Sequence, residues 1–540
     1  MTIPDGRVRR ELPETIPCLA EHAAKKWPDE VAVSFDLTGE ELTFREVHER
    51  SNAIAKVLIE LGTEPGDRVA VMLQNRAEFP LAWLGITKAR AVMVPINTFA
   101  QMSDARYLLE HSGARTILTE ADYVDLLQSV QPGVPDLTDV VLLQTSDAQE
   151  GSIERLGSLN VTSFPVHFEA DPPLGEYWGE DLTNIQYTSG TTGFPKGCML
   201  SNQYWIQLSR LYAERPPEIA FDDVLLTAQP FSYIDAQWNI LVAMHVGARL
   251  VVLDRFHPST FWAKVSEYGV TFFYCLGAMP ALMNKMPPSR YDRDHSVRYI
   301  ECSAIPVHLH ETLEARYGAP WYELFGATET GADLTMTVDE REDFVGTGCI
   351  GRPFAHREAR IVDEDDTPVR RGEKGQLVLR GHSMMDGYFR DPESTAKAFR
   401  NGWYHTGDIA WMDSEGRVFY HGRSKDIIRR SGENVSAVEV ETVLSRHPAV
   451  GLCACLPVAD EIRGEEIKAF IVLESEAAAD VEELIQYCKR ELAYYKVPRY
   501  WEFRDSLPLT VSQKVAKAEL RIAESVTPGK TYDTLLHCWV

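Results

Sequence analysis

Between Tyr187 and Ser201 the chain reads YTSGTTGFPKGCMLS. The hydroxyls of Thr188, Ser189, Thr191 and Thr192 are interleaved with the bare backbone of Gly190, Gly193 and Gly197, and Lys196 adds one ammonium. Hydroxyl and N–H donors around a single cation make a cradle for an anion, and polyphosphate is the anion that suits it best. The spacing is not that of the P-loop, which needs four residues between its first Gly and Gly-Lys and a hydroxyl after the Lys. Here Lys196 follows Pro195 and precedes Gly197. Taken alone, the same composition also describes a mobile linker. A second segment, YELFGATETG (322–331), carries Thr328 and Glu329.

These two segments, with WYHTGDIAWMDSEGRVFYHGRSKDIIRRSGENV (403–435) and LPLTVSQKVAKAEL (507–520), resemble in order and residue type the motifs of the adenylate-forming superfamily. That superfamily contains acyl-CoA synthetases, the adenylation domains of peptide synthetases and beetle luciferases. The resemblance implies ATP phosphates bound by Thr188, Ser189, Gly190, Thr191, Thr192, Gly193 and Lys196. It implies Phe325 and Gly326 against the adenine, with Phe325 where the family usually has Tyr. Thr328 would then hydrogen-bond the α-phosphate and Glu329 would hold Mg2+. CSAIP (302–306) stands where relatives place a Ser-Gly-Ala-x-Pro loop on the other adenine face, which assigns Ser303 and Ala304 to the base, with Ala304 replacing Gly. Glu323 is expected either to accept from the adenine amino group or to be a solvated carboxylate at a strand end. Asp408 corresponds to the ribose-binding Asp, whose two oxygens suit two sugar hydroxyls, and Arg423 to the Arg that meets the same sugar. Lys425 matches the hinge about which the C-terminal domain swings, and Gly432 a position on the CoA pantetheine tunnel. Lys514 matches the lysine that bridges substrate carboxylate and α-phosphate, although Gln513 stands where Gly is commonest. Lys517 is the nearby competitor, and the register of Pro508 and Thr510 favours Lys514.

The motifs leave the acid open. PFSYIDAQWNI (230–240) resembles the segment that lines the acyl pocket, with Tyr233 in place of a family His and with Asp235 and Gln237 as further candidates. A carboxylate flanked by Tyr233 and Trp238 suits a quaternary ammonium acid, and the segment is similar to the carnitine/crotonobetaine-CoA ligase branch. The competing reading makes Asp235 the N-cap of the helical run that follows and the acid a neutral aliphatic or aromatic one. The expected reaction is ATP-dependent adenylation of a carboxylic acid, then thioester formation with CoA, releasing AMP and pyrophosphate. The alternatives are an adenylation enzyme loading a separate carrier protein and a catalytically silent relative. No carrier domain follows the Lys514 module in this sequence, which favours free CoA as acceptor.

The elements that must hold these residues can be read from periodicity. RVAVMLQN (68–75), AVMVPIN (91–97), ARTILTE (114–120), DVVLLQ (139–144), ARLVVLD (248–254) and VTFFYCL (270–276) are short apolar runs, and amphipathic stretches at helical spacing separate them. That alternation predicts an α/β fold with mostly parallel, helix-covered sheets. From about 345 to 422 short strands with turn signals predict a smaller β subdomain. The expected division is an N-terminal ATP- and acyl-binding domain over 1–423 and a small mobile α+β domain over 424–540, with no role assignable to the tail 525–540. A net charge of −26 argues against nucleic acid and anionic membranes as partners. Nine scattered cysteines without a Cys-x-x-Cys pair predict neither zinc nor a disulfide framework. No apolar run is long enough to span a bilayer. A cytoplasmic monomer or homodimer is the expectation.

Overall fold

The computed structural model describes residues 13–143, 155–165, 171, 173, 175–188, 195–430, 433–460, 463–474, 479–510, 514–522, 527 and 529–540. Among these residues the strands form three sheets. The apolar runs near the N-terminus become Arg68–Met72, Val92–Pro95, Thr116–Glu120 and Asp139–Leu143, all parallel to their neighbours. Their positions are buried almost throughout, which is why they carry no polar alternation. Leu182–Thr188 joins this eight-stranded sheet through Met93 and Asn184. It then turns back antiparallel as Lys196–Ser201, with Lys196 opposite Thr188. The phosphate-loop motif is thus the connection of a hairpin at one end of a sheet.

The second sheet begins parallel, through Arg249–Val252, Val224–Thr227, Phe272–Leu276, Tyr299–Ser303 and Trp321–Ala327. It continues antiparallel through Gly331–Thr335, Cys349–Pro353, Val418–Arg423, Trp403–Met412, Lys374–Gly381 and Arg357–Val362. The short strands expected over 345–422 are therefore hydrogen-bonded onto the parallel strands in one continuous path. The two sheets share a core, since one apolar cluster includes Val69 and Met93 from the first and Leu225 and Leu250 from the second. The helix Ile234–Val246 belongs to that core and is buried from Asp235 to His245, so its sequence is apolar on nearly every side.

The large sheet ends at Arg423, a single turn spans Ser424–Asp426, and the third sheet starts at Ile427. This C-terminal domain has its own apolar cluster, built on the helices Ala437–Ser445 and Val481–Glu491 and on Ile467, Ala469 and Ile471. The tail has a structural place that periodicity could not show. Thr531–Asp533 pairs with Tyr500–Phe503, and Cys538–Trp539 pairs with Thr531–Asp533. Strands this short cannot display an alternating pattern.

Candidate active site

Thr188 and Lys196 flank the hairpin mouth, whereas Ser189, Gly190, Thr191, Thr192 and Gly193 lie outside the described residues. The Glu329 turn is held from below. Ala327 and Gly331 are opposite one another in a hairpin, and the Thr330 N–H donates to the Ala327 carbonyl at 3.1 Å. A Cβ on Gly326 would lie 2.0 Å from the Gly331 carbonyl oxygen, so only glycine permits this approach. Arg357 pairs with Asp333 at 2.7 Å in full burial and also donates to the Thr330 carbonyl, while the Thr330 hydroxyl bonds Asp333. Thr328 and Glu329 project from the tip, half-buried.

Asp408 and Arg423 are register partners on adjacent strands, and the Arg423 Nε lies 2.9 Å from Asp408 Oδ1. Asp408 is buried, which raises its pKa, and Arg423 opposes that shift. Tyr420 donates to the same carboxylate at 3.3 Å, and its ring lies 6.4 Å from that of Phe325. Phe325, Tyr420, Asp408 and Arg423 thus form one aromatic and charged corner. Tyr420 was not among the expected residues; it falls between two motif positions and carries no spacing of its own.

Glu323 is not a solvated carboxylate. It is buried, and its two oxygens accept from the backbone N–H groups of Ala304 and Ile305 at 2.6 and 2.8 Å. Burial pushes its carboxyl up to about 8, against those two bonds. Its carboxylate thus shapes the loop and is withdrawn from solvent. The reason is local: Ala304 has φ +69°, the left-handed conformation that Gly adopts freely and that costs another residue about 1–3 kcal/mol. The paired N–H groups received by Glu323 hold that turn. Ser303 anchors its other side, donating to the Leu324 carbonyl at 2.7 Å and meeting the Tyr274 hydroxyl at 2.5 Å.

Lys514 comes from the C-terminal domain to this corner. The residue keeps an exposed surface, yet its pKa is lowered by the protein atoms crowding the amine and by the Arg423 guanidinium, with Asp408 acting the other way. Its backbone is tied to Thr510: the Thr510 N–H donates to the Lys514 carbonyl at 2.6 Å and the Lys514 N–H to the Thr510 hydroxyl at 3.1 Å. Lys517 is occupied elsewhere, 2.7 Å from Glu441 and 3.8 Å from Asp426. Lys425 lies in the turn between the large and C-terminal sheets. Gly432 lies outside the described residues.

The acyl-pocket candidates divide. Tyr233 is half-buried at the cap position of the helix Ile234–Val246 and makes no side-chain cap bond. Gln237 is fully buried in a structural network, accepting from Asn184 at 2.9 Å and donating to the Phe231 carbonyl at 2.7 Å. It holds the helix to the first sheet, so it is not free to line a pocket. Asp235 is not the N-cap, because it lies inside the first helical turn and is buried. Its Oδ2 accepts from Thr227 at 2.7 Å, and its Oδ1 has no partner among the described residues. Burial pushes its carboxyl up to about 7. Three residues on in the same helix, Trp238 stacks on Tyr212 at 4.2 Å and meets Tyr274 edge-on at 5.8 Å.

Residues 20–389 match the family of AMP-binding enzymes, and residues 439–514 match the AMP-binding enzyme C-terminal domain. This chain is an AMP-binding enzyme. Among similar family members, a crotonobetaine/carnitine–CoA ligase of Salmonella arizonae is 30% identical over 521 residues, covering 93% of this chain and 99% of that one. The Escherichia coli O157:H7 protein of the same description is 31% identical over 89% of this chain and 93% of its own. In structure, this AMP-binding enzyme resembles the anthranilate CoA ligase AuaEII in complex with anthranoyl-AMP, with TM-score 0.84, 25% identity, and 95% and 98% of the two chains covered. A benzoate CoA ligase from Burkholderia xenovorans LB400 superimposes with TM-score 0.79 at 26% identity, covering 94% and 99%. Among the described residues no helix is long and apolar enough to cross a membrane.

Proposed function

We propose that this AMP-binding enzyme is an AMP-forming acyl-CoA synthetase, with the active site between residues 1–423 and the mobile domain 424–540. The observation that carries the reading is that Lys514 of the C-terminal domain lies within the electrostatic reach of the Asp408–Arg423 pair of the large domain. A carboxylate oxygen of the acid attacks the α-phosphorus of ATP and pyrophosphate leaves; the thiol of CoA then displaces AMP from the acyl-adenylate. The first step needs in-line placement and neutralisation of charge. Phe325 and the Ala304 loop bracket the adenine, Asp408 and Arg423 take the ribose, and Lys196 and the hairpin loop take the phosphates. Thr328 donates to the α-phosphate, and Lys514 neutralises charge between it and the incoming carboxylate.

Glu329 fits a Mg2+ ligand. Among the described residues no cluster of three or more His, Cys, Asp or Glu surrounds it, and Mg2+ typically takes one or two carboxylates and completes its shell with phosphate oxygens and water. When bound it would offset phosphate charge. Nine free thiols suit a reducing compartment, in keeping with a cytoplasmic enzyme.

For the acid, we infer a tail that carries positive charge. Asp235 Oδ1 has no partner among the described residues, Trp238 follows three residues on in the same helix and packs on Tyr212 and Tyr274, and the two relatives named above are described as crotonobetaine/carnitine–CoA ligases. A second reading, a neutral acid above a protonated Asp235, is favoured by the carboxyl's rise to about 7. The deciding experiment incubates the enzyme with ATP, CoA and pooled acids and reads products by mass spectrometry. AMP, pyrophosphate and one acyl-CoA are expected; ADP and phosphate would overturn the mechanism.

A further inference from the structure

The segment Met385–Phe389 lies against two of the site's motifs at once, and nothing in its sequence, SMMDGYFRDPEST (383–395), marks it for chemistry. Along one side it runs as an added strand on Lys196–Ser201: the Met199 N–H donates to the Gly387 carbonyl, the Asp386 N–H to Met199 and the Phe389 N–H to Gly197, at 2.8–2.9 Å. Cys198 and Tyr388 are bridge partners in that pairing. On its other side the Met385 N–H donates to the Glu329 carbonyl at 2.8 Å. Tyr388 completes the stitch with its side chain. Its hydroxyl donates to Glu329 Oε1 at 3.0 Å, and the Lys196 ammonium lies 5.0 Å from the centre of its ring.

We propose that Tyr388 is a positioning residue for adenylation, fixing Glu329 toward the metal and the phosphate-loop lysine beside it; this rests on the acyl-CoA synthetase reading above. Three features carry the inference. The hydroxyl engages one carboxylate oxygen, so the carboxylate cannot rotate freely and its other oxygen is the one left for a cation. Hydrogen bonds of this kind orient metal-binding carboxylates generally. The ring face gives the Lys196 ammonium an uncharged partner, so one side chain touches both the lysine and the carboxylate. The backbone of the same segment sets the distance between the two motifs. The Tyr388 backbone is itself pinned by the Thr395 hydroxyl, which accepts from the Tyr388 N–H at 2.9 Å.

The test is Tyr388→Phe, which keeps the ring over Lys196 and removes only the donor. Losing such a support costs about 10–100-fold in metal affinity or rate. We expect the Mg2+ concentration for half-maximal adenylation to rise by about tenfold, with thioester formation from supplied acyl-adenylate unchanged. The second readout needs no turnover: Mn2+ binding to the enzyme–ATP complex, followed by electron paramagnetic resonance, should weaken by a similar factor while metal-free ATP binds as before. In a Glu329→Gln background the same substitution should have no further effect on Mn2+ binding, because the route through Glu329 is already gone. Equal Mn2+ affinity in wild type and Tyr388→Phe overturns the proposal. So does a loss that persists undiminished beside Glu329→Gln, or an equal fall in both half-reactions. A wild-type enzyme that forms no AMP from any acid would defeat the acyl-CoA synthetase reading itself, and the Mn2+ measurement separates that outcome from a failure of Tyr388.

Discussion

Lys514 and Lys517 carry the same charge three residues apart, and only their neighbours distinguish them. Lys517 is committed to Glu441, whereas the Lys514 ammonium feels the charges of Arg423 and Asp408. Lys514→Ala should therefore slow adenylation by about a hundredfold or more, since its ammonium meets charge that develops only in that step. Thioester formation from supplied acyl-adenylate should be untouched, and separate assays of the two half-reactions check it. Asp235 offers a test in both pH and specificity. Its carboxyl titrates near 4 when unfolded and near 7 in the fold, so the folded chain holds the extra proton between those values. The stability this represents is fully present below pH 4 and is lost as pH rises through 7, a change on the order of a few kcal/mol. Asp235→Asn keeps an acceptor for Thr227 and removes the titration. Its melting temperature relative to wild type should rise between pH 5 and pH 8. With a cationic acid, kcat/KM should fall by two or more orders of magnitude relative to a neutral isostere, as expected when a buried charge loses its partner at a cost of about 3–5 kcal/mol. Unchanged preference would leave the neutral acid standing.

At the scale of elements, the site is a set of turns hung on strand ends. The hairpin 326–331 shows how little freedom such a turn has: Gly326 faces the Gly331 carbonyl with no room for a methyl group. Gly326→Ala should destabilise the fold by about 1–3 kcal/mol, as overpacking does. Because Thr328 and Glu329 ride on the same turn, adenylation should fall further than stability explains; a displacement of about 1 Å can cost a hundredfold. Thermal melting and single-turnover adenylation together check this. The Ala304 turn solves the opposite problem, keeping a side chain in a left-handed conformation by giving both its neighbouring N–H groups to Glu323.

For the whole molecule, the two domains meet through Lys514 on one side and through Lys285, which lies 2.5 Å from Glu474 of the C-terminal domain, on another. The polypeptide crosses from one sheet to the other in the turn Ser424–Asp426, flanked by extended backbone at Arg423 and Ile427. A swing about this turn requires its dihedrals to change, and proline fixes φ. Lys425→Pro should thus permit acyl-adenylate formation and block thioester formation, which rapid quench with separated products would reveal. Thioester at the wild-type rate would remove the hinge from Lys425.

The sequence by itself determined the reaction class, the order of the motifs and the parallel core. These rest on local signals: glycine and hydroxyl spacing, apolar runs of strand length, and a lysine in register with Pro508 and Thr510. Asp408 and Arg423, assigned by resemblance to one sugar, stand on strands that pair. Tertiary structure alone decided what each buried polar group faces. Glu323 reads equally as a solvated strand-end carboxylate until burial and the N–H groups of Ala304 and Ile305 show otherwise. Gln237 reads as pocket lining until Asn184, far off in the chain, claims its amide. Asp235 reads as a helix cap until its helix proves to begin before it, and Tyr388 carries no motif at all until Glu329 and Lys196 arrive on either side. A carboxylate's or amide's role is set by which donors lie within about 3 Å, and that distance is fixed by residues brought from elsewhere in the chain, which no local pattern records.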